Sequence, residues 1–277
     1  AGGGGTPWEI SGATFVATYL PSATETRPAG IAFKPDGTKM YISGNRGLVN
    51  GGRIHEFNLS TAWDLTTASF SQFLSIPDSS GVAQPGDMHF KPDGTRLYFM
   101  SGSSDKVAEY SLSSAWNVAT GSLTRSFSVN SQDGAPTGMT MKNDGTKMYV
   151  TGRITDRIHE YNLSTAWNVS TASILQNKSV SAQDNNPYGL FLKPDGTRMY
   201  LIGQRYDSAY QYNLSTANNI STASYVATVN FQQSGTNEYL DGVRAITFSP
   251  DGIHMYVCGG VSGFSTPKIH QFVLAEE

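Results

Sequence analysis

The sequence predicts an all-β protein built from five copies of one four-stranded unit, and three observations support that prediction. The phrase KPDGTKMY at residues 34–41 returns four more times in related form, at intervals of 51 to 57 residues. Each copy contains short alternating apolar segments separated by turn residues, which is typical of antiparallel strands. The last copy lacks a final segment that the N-terminus can supply. Together these features predict a five-bladed β-propeller of four-stranded antiparallel blades.

The third copy shows how each strand of a blade is predicted. Residues 136–142 alternate apolar with small or polar side chains and form the innermost strand. Residues 143–145 (NDG) then turn the chain, because Asp suits the turn and Gly accepts the left-handed conformation of a bulged hairpin. Residues 146–152, 156–163 and 173–180 follow as the second, third and fourth strands.

The two ends of the chain are predicted to complete one blade. The last copy stops after its third strand at residues 269–277, whereas residues 8–20 match the connector and fourth strand of other copies. We expect the N-terminal strand to become the outermost strand of blade five, which closes the ring and removes open sheet edges. Residues 8–277 thus form one propeller, and the Gly-rich residues 1–7 are expected to be a flexible leader that tethers it to something larger.

Composition excludes several classes of partner. The net charge is −3 and only 15% of residues are charged, against about 25% in typical domains, so no nucleic-acid partner is expected. No apolar run approaches the roughly 18 residues that span a bilayer, and no membrane insertion is expected. The single Cys258 is predicted to be a buried, unreactive thiol. The abundance of Ser, Thr, Asn and Gly favours an extracellular, cell-surface or virion-associated protein.

The repeat pattern P-x-G, PDGT-K/R-M-Y and I-H-E-Y resembles the YVTN or lactonase-like family of β-propeller repeats. Copies with the STAWNVSTAS connector are similar to repeats in tail-associated and surface proteins of phages and environmental bacteria. The resemblance covers residues 8–277 and implies the propeller fold. It transfers no catalytic residue to this chain, because such propellers serve as binders, scaffolds and enzymes.

Side chains that recur at one position in several copies are interpreted as scaffold. The recurring tryptophans and histidines are Trp8, Trp63, Trp116 and Trp167 in the connector and His55, His159 and His270 in the third strand. Equivalent positions are spread around a ring, so we expect neither an aromatic cage nor a zinc site. The tryptophans are predicted to pack between blades, and the histidines to lie at the surface or between blades. No metal and no cofactor are predicted.

Side chains that depart from the repeat are the candidates for function. The loops between second and third strands, and those between blades, differ among copies and share one face, here called the variable face. The candidate binding residues are Arg46, Asp87, Arg153, Tyr188, Arg205, Tyr206, Tyr239 and Arg244. Asp133 and Asp184, in a shared Gln-Asp pair, are chemically suggestive as well. Aromatic faces with planar Arg and Asp groups suit sugar hydroxyls or an acidic glycan, and solvated loop charge is the alternative.

Three functions are compatible with this arrangement. The preferred one is a non-enzymatic recognition module that binds a cell-surface glycan or other surface polymer around the channel mouth. The alternative is a structural or assembly module that binds a protein partner. An enzyme is least favoured. A glycoside hydrolase needs two carboxylates at the channel mouth, and a lactonase would need several acidic ligands for a divalent ion. The innermost strands offer only Asp87, with Glu238 and Asp241 in the loop before the last one. No catalytic residue is predicted.

Overall fold

A computed structural model of the chain describes residues 5–21, 24–44, 51–231, 240–260 and 266–275. In these ranges the secondary structure consists of β-strands and short 3-10 turns, without an α-helix, and no helix there could cross a membrane. The strands are β1 (Thr14–Tyr19), β2 (Pro28–Phe33), β3 (Lys39–Gly44), β4 (Gly52–Leu59), β5 (Ala68–Ile76), β6 (Pro85–Phe90), β7 (Arg96–Ser101), β8 (Lys106–Leu112), β9 (Gly121–Ser128), β10 (Pro136–Met141), β11 (Lys147–Gly152), β12 (Arg157–Leu163), β13 (Ala172–Ser179), β14 (Pro187–Leu192), β15 (Arg198–Gly203), β16 (Ser208–Leu214), β17 (Ala223–Asn230), β18 (Ala245–Phe248), β19 (His254–Gly259) and β20 (Lys268–Val273). The 3-10 turns are Ile10–Gly12, Leu65–Thr67, Asp78–Ser80, Val118–Thr120, Val169–Thr171 and Ile220–Thr222.

The strands form five antiparallel sheets of four strands each. Blades one to four are β2–β5, β6–β9, β10–β13 and β14–β17, each paired in chain order. In blade five the order is β1-β20-β19-β18, and Thr14 pairs with Val273 while Tyr19 pairs with Ile269. The sequence-based prediction of a five-bladed propeller closed by the N-terminal strand is confirmed.

The recurring Asp-Gly turns close the hairpin between the first two strands of each blade. In blade one the carboxylate of Asp36 accepts hydrogen bonds from the backbone N–H and the hydroxyl of Thr38. Gly37 has φ of +73°, and the indole of Trp63 lies directly over it, so that a Cβ there would come within 2.5 Å of the ring. Glycine is therefore required twice over, by the backbone conformation and by the close approach of the indole.

The tryptophans pack between blades, as predicted. Trp116 of blade two lies against Phe90 of its own blade, with ring centroids 5.2 Å apart, and near Tyr41 of blade one. The hydroxyl of Tyr41 donates a hydrogen bond of 2.8 Å to the backbone carbonyl of Trp116. The equivalent bonds at the other junctions are Tyr98 to Trp167, Tyr149 to Asn218, Tyr200 to Trp8 and Tyr256 to Trp63.

The apolar core lies between adjacent blades and is not confined within any one of them. One cluster joins Tyr98 and Met100 of β7 to Met139 of β10 and Met148 of β11, all of them buried. The innermost strands β2, β6, β10, β14 and β18 adjoin one another around the axis. The residues that begin these strands therefore determine what is presented at the centre of the variable face.

Candidate functional site

A cavity of about 270 Å³ lies at the centre of the variable face. One equivalent position of each blade, at or just before the start of the innermost strand, contributes to its wall. These five residues are Ala29, Gly86, Thr137, Tyr188 and Arg244. The small side chains of Ala29, Gly86 and Thr137 leave open space, and Tyr188 and Arg244 border it. The two large residues that differ from the repeat therefore determine the shape of the cavity.

Three arginines border this cavity: Arg27, Arg153 and Arg244. The guanidinium carbon of Arg244 lies 5.6 Å from the ring centroid of Tyr188, and Arg153 donates a hydrogen bond of 3.2 Å to the hydroxyl of Tyr188. Among the residues that the structure describes, none of the three arginines forms an ion pair. The Nε of Arg244 is buried without a hydrogen-bond partner in that same set. The described part of the cavity wall therefore presents three arginines without a paired acid, and such positive charge attracts anions.

The structure brings together three of the residues that the sequence singled out and separates the others. Arg153, Tyr188 and Arg244 meet at the cavity. Arg205 and Tyr206 are both exposed in the loop between β15 and β16, where the guanidinium lies 5.5 Å from the ring centroid. Arg46, Tyr239 and also Glu238 lie outside the described residues.

Arg27 was missed by the sequence analysis. It stands immediately before the proline that begins β2, and the residues before the prolines of β6 and β10, Gln84 and Ala135, border the cavity as well. A comparison of this one position across the copies would have found it.

Asp87 lies apart from the other candidates, in the wall between two cavities. The equivalent residues of the other blades are Gly30, Gly138, Gly189 and Ala245. A Cβ at Gly30 would come within 2.5 Å of the carbonyl oxygen of Gly86, so the inner ring has little space for side chains. Asp87 is 3% exposed and borders a second cavity, of about 190 Å³, on the face of the Asp-Gly turns.

The Asp87 carboxylate ties three innermost strands together. Its Oδ1 accepts a hydrogen bond from the backbone N–H of Met88 at 3.1 Å. Its Oδ2 accepts one from Met139 at 3.3 Å and one from Leu190 at 3.1 Å, in blades three and four. Burial raises the pKa of Asp87 to about 7, although the three backbone hydrogen bonds act in the opposite direction. The carboxylate thus joins the innermost strands of blades two, three and four.

Asp133 and Asp184 hold loops and are both buried. Asp133 accepts hydrogen bonds of 2.8 Å from the backbone N–H of Ala135 and from that of Thr155. Asp184 accepts one of 2.7 Å from the backbone of Asn186. The carboxylate of Asp133 therefore fastens the loop before β10 to the loop after β11, which carries Arg153. The interpretation of these acids as ligand contacts gives way to a positioning role.

The described residues contain no cluster of three or more His, Cys, Asp or Glu side chains arranged to hold a metal ion. Cys258 is buried, and burial raises the pKa of its thiol to about 12, as expected for an unreactive cysteine.

No family model and no curated protein matches this sequence. The structure resembles solved propellers, among them a candidate 6-phosphogluconolactonase from Bacteroides uniformis (TM-score 0.52, 17% identity, 92% of this chain and 69% of that one). Others are a protein of unknown function from Desulfotomaculum acetoxidans (0.51, 16%, 85% and 66%) and a periplasmic gluconolactonase from Pseudomonas aeruginosa (0.50, 13%, 90% and 74%). The chain thus spans just under two thirds of the Desulfotomaculum protein. At these identities the likeness establishes the β-propeller fold.

The comparison also corrects the function expected from the sequence. Two of the three similar structures carry lactonase names, so the prediction of a non-enzymatic recognition module is wrong. The expectation that the chain is not an enzyme loses its support for the same reason.

Proposed function

We propose that the variable-face cavity is the active site of a lactonase-type hydrolase, whose substrate is a sugar lactone bearing a phosphate or carboxylate group. The observation that carries the proposal is the convergence of Arg27, Arg153 and Arg244 without an acidic partner among the described residues. The lactonase names of two similar structures support the reaction class, and the arginines support an anionic substrate.

The cavity suits a ligand of monosaccharide size. Its volume of about 270 Å³ lies just below the range of roughly 300–1,000 Å³ that is usual for small-molecule sites. A planar guanidinium matches the oxygens of a phosphate or carboxylate through two parallel hydrogen bonds. The half-buried ring of Tyr188 offers an apolar surface to the sugar.

The same groups can assist lactone hydrolysis. Water attacks the carbonyl carbon, and negative charge develops on the carbonyl oxygen, where a fixed guanidinium stabilises it. The bond from that carbon to the ring oxygen then breaks, and the ring oxygen takes a proton, which the Tyr188 hydroxyl is free to donate because it accepts from Arg153. Among the described residues that line the cavity there is no carboxylate or imidazole. The proton of the attacking water passes to solvent, and solvent returns a proton to the Tyr188 phenolate.

The proposal includes a place of action outside the cytoplasm, in the periplasm or at the cell surface. The name of the Pseudomonas structure, a periplasmic gluconolactonase, supports this. The YVTN-like repeat pattern and the abundance of Ser, Thr and Asn are consistent with it. Fractionation of the native host, with detection of this chain by antibody, tests the location independently of the activity.

The activity is tested with 6-phosphogluconolactone and uncharged gluconolactone, following acid release with a pH indicator and subtracting the uncatalysed rate. We expect faster hydrolysis of the phosphorylated lactone. Arg153→Ala and Arg244→Ala should each lower kcat/KM by about tenfold or more. The matched control is Arg157→Ala, because Arg157 is exposed at the start of β12 and does not border the cavity.

Two results would refute the proposal. One is a rate equal to the uncatalysed rate for both lactones. The other is a rate that falls equally in the Arg153, Arg244 and Arg157 variants, because that would locate the activity elsewhere in the molecule.

A further inference from the structure

The second cavity opens on the face of the Asp-Gly turns and differs sharply in character from the first. Its walls are largely aromatic and apolar, including Phe33, Phe191 and Phe248 of the innermost strands. Asp87 stands in the wall that separates it from the arginines of the variable face. A volume of about 190 Å³ exceeds the 150 Å³ of an engineered apolar cavity that takes up benzene.

Three of the repeated tryptophans border this one cavity: Trp8, Trp63 and Trp116. The expectation that equivalent connector positions could not converge is therefore wrong. The connector folds back over the Asp-Gly turn at the inner end of the blade, which brings the indole of Trp63 within 5.4 Å of Phe33, measured between centroids. Residues of successive blades thus approach a common opening, although their backbones remain spread around the ring.

Of the polar side chains described in the wall of this cavity, the one that carries a charge is the acid Asp87. No lysine or arginine is among the described residues that line it. The ammonium of Lys193 lies 5.5 Å from the ring centroid of Trp8 and is paired with Asp195. Burial lowers the pKa of His89 to about 4, so that its imidazole is neutral. A carboxylate has about four acceptor positions. The three hydrogen bonds to Asp87 use one on Oδ1 and two on Oδ2, so one position remains on Oδ1. An acid at the end of an apolar, aromatic chamber is complementary to a hydrophobic cation.

We propose that this cavity binds a small primary amine with an apolar body of about one ring. The ammonium group pairs with the Asp87 carboxylate, and the body packs against the phenylalanine and tryptophan rings. Burial makes an unpaired carboxylate costly, and an ammonium partner in the same dry environment offsets that cost. The aromatic faces attract the cation as well. The site is separate from the arginine cavity, and the inference does not rest on the proposed lactonase activity.

Benzylamine and benzyl alcohol test this directly, because they share size and shape and differ in charge. Binding to the intact protein is followed by tryptophan fluorescence and by calorimetry at pH 8, where Asp87 is ionised. We expect benzylamine to bind at least tenfold more tightly than benzyl alcohol. Asp87→Asn should abolish that difference while leaving the affinity for benzyl alcohol within about twofold.

A second variant tests the location without touching the carboxylate. Ala32 borders the cavity, and its equivalent in blade four is Phe191, so Ala32→Phe introduces a side chain that the fold already accommodates at that position. It should weaken both probes by filling the cavity, and a thermal melt verifies folding of each variant. Equal binding of the two probes to the wild type, binding of neither, or full benzylamine affinity in Ala32→Phe would each overturn the proposal.

Discussion

The hydroxyl of Tyr200 donates a hydrogen bond of 2.6 Å to the backbone carbonyl of Trp8. Tyr200 belongs to β15 in blade four, and Trp8 begins the connector that leads into β1 of blade five. The same tyrosine-to-connector bond occurs at each of the five blade junctions. The junction that holds the N-terminal segment therefore has the same hydrogen bond as the others. In blade five, however, the chain does not connect the third strand to the fourth, and β1 is held to β20 by strand pairing.

Removing this hydroxyl should loosen the N-terminal strand selectively. In Tyr200→Phe the buried carbonyl of Trp8 loses its donor, which costs about 1–2 kcal/mol, and amide exchange in β1 should accelerate. The matched control is Tyr98→Phe, whose acceptor Trp167 lies in mid-chain between β12 and β13. Hydrogen exchange followed by mass spectrometry measures both. Equal acceleration in β1 and β13 would contradict the expectation.

The indoles that lie above four of the five Asp-Gly turns make a second prediction. Gly37 and Gly81 both have positive φ, +73° and +69°, so alanine strains the backbone at either position. A Cβ at Gly37 would collide with Trp63, whereas a Cβ at Gly81 has nothing within 4 Å. Gly37→Ala should thus lower the free energy of unfolding by about 1–3 kcal/mol more than Gly81→Ala. Urea denaturation measures the two unfolding free energies. Equal decreases in both variants would show that the Trp63 indole moves aside at little cost.

The buried Asp87 predicts an unusual pH dependence of stability. Its pKa is about 7 in the folded protein against 3.8 for a model carboxyl, so the folded state binds the extra proton between these values. Its contribution is fully present below pH 3.8 and is lost as pH rises to 7, by up to about 4 kcal/mol. His89, Cys258 and Arg244 are the other ionisable groups nearby.

The readout is the difference in unfolding free energy between wild type and Asp87→Asn, measured from pH 4 to pH 8. The variant lacks this titration but retains the neighbouring groups. As pH rises, the unfolding free energy of the wild type should therefore fall relative to that of the variant. Asparagine also introduces a constant offset, because its amide cannot accept all three backbone hydrogen bonds. A difference that is flat across this range would show that Asp87 titrates normally.

The junction between blades three and four allows a compensation test based on the chain's own repeats. Glu160 is buried, pairs with Lys147 at 2.5 Å and accepts a hydrogen bond from the backbone of Ile220. In blade four the equivalent residue is Gln211, and the acid for Arg198 comes instead from Glu9. Glu160→Gln should therefore destabilise the protein by about 1–3 kcal/mol.

Adding Asn219→Glu, the equivalent of Glu9, should restore part of that loss. The restoration is partial because Asn219 also caps the turn at Ile220–Thr222 by accepting from the backbone of Ser221. A double-mutant cycle in urea measures the coupling. If the effects of the two substitutions on the unfolding free energy were strictly additive, a glutamate at position 219 would not replace the charge lost at Glu160, and the expectation would be wrong.

Most of the fold was predictable because its determinants are local. Alternating strands and Asp-Gly turns are encoded within a few residues, and their repetition fixed the blade number and the ring closure. The histidines were harder to place: His55, His159 and His270 are all buried at 3% exposure or less, and a surface position is wrong. His270 lies against Phe15, which β1 brings from the far end of the chain.

The candidate site was predictable only in part, because it depends on how far loop side chains reach across the axis. Tyr188 and Arg244 stand where the repeat is broken, so the internal comparison located them. The convergence of Trp8, Trp63 and Trp116 follows from the path of the connecting chain, which no residue pattern specifies. The roles assigned to Arg46 and Tyr239, and the predicted protein, glycan or surface-polymer partners, stay predictions.

The pairing of β1 with β20 makes the order of the blades cyclic. Strands from opposite ends of the chain lie side by side, from Thr14 with Val273 to Tyr19 with Ile269, with one irregularity between Phe15 and Ala17. Circular permutants that join these ends and open the chain at another connector, such as 113–117, would retain every strand pair of the original. The natural order of the blades along the chain is then one of five circular permutations that give the same closed ring.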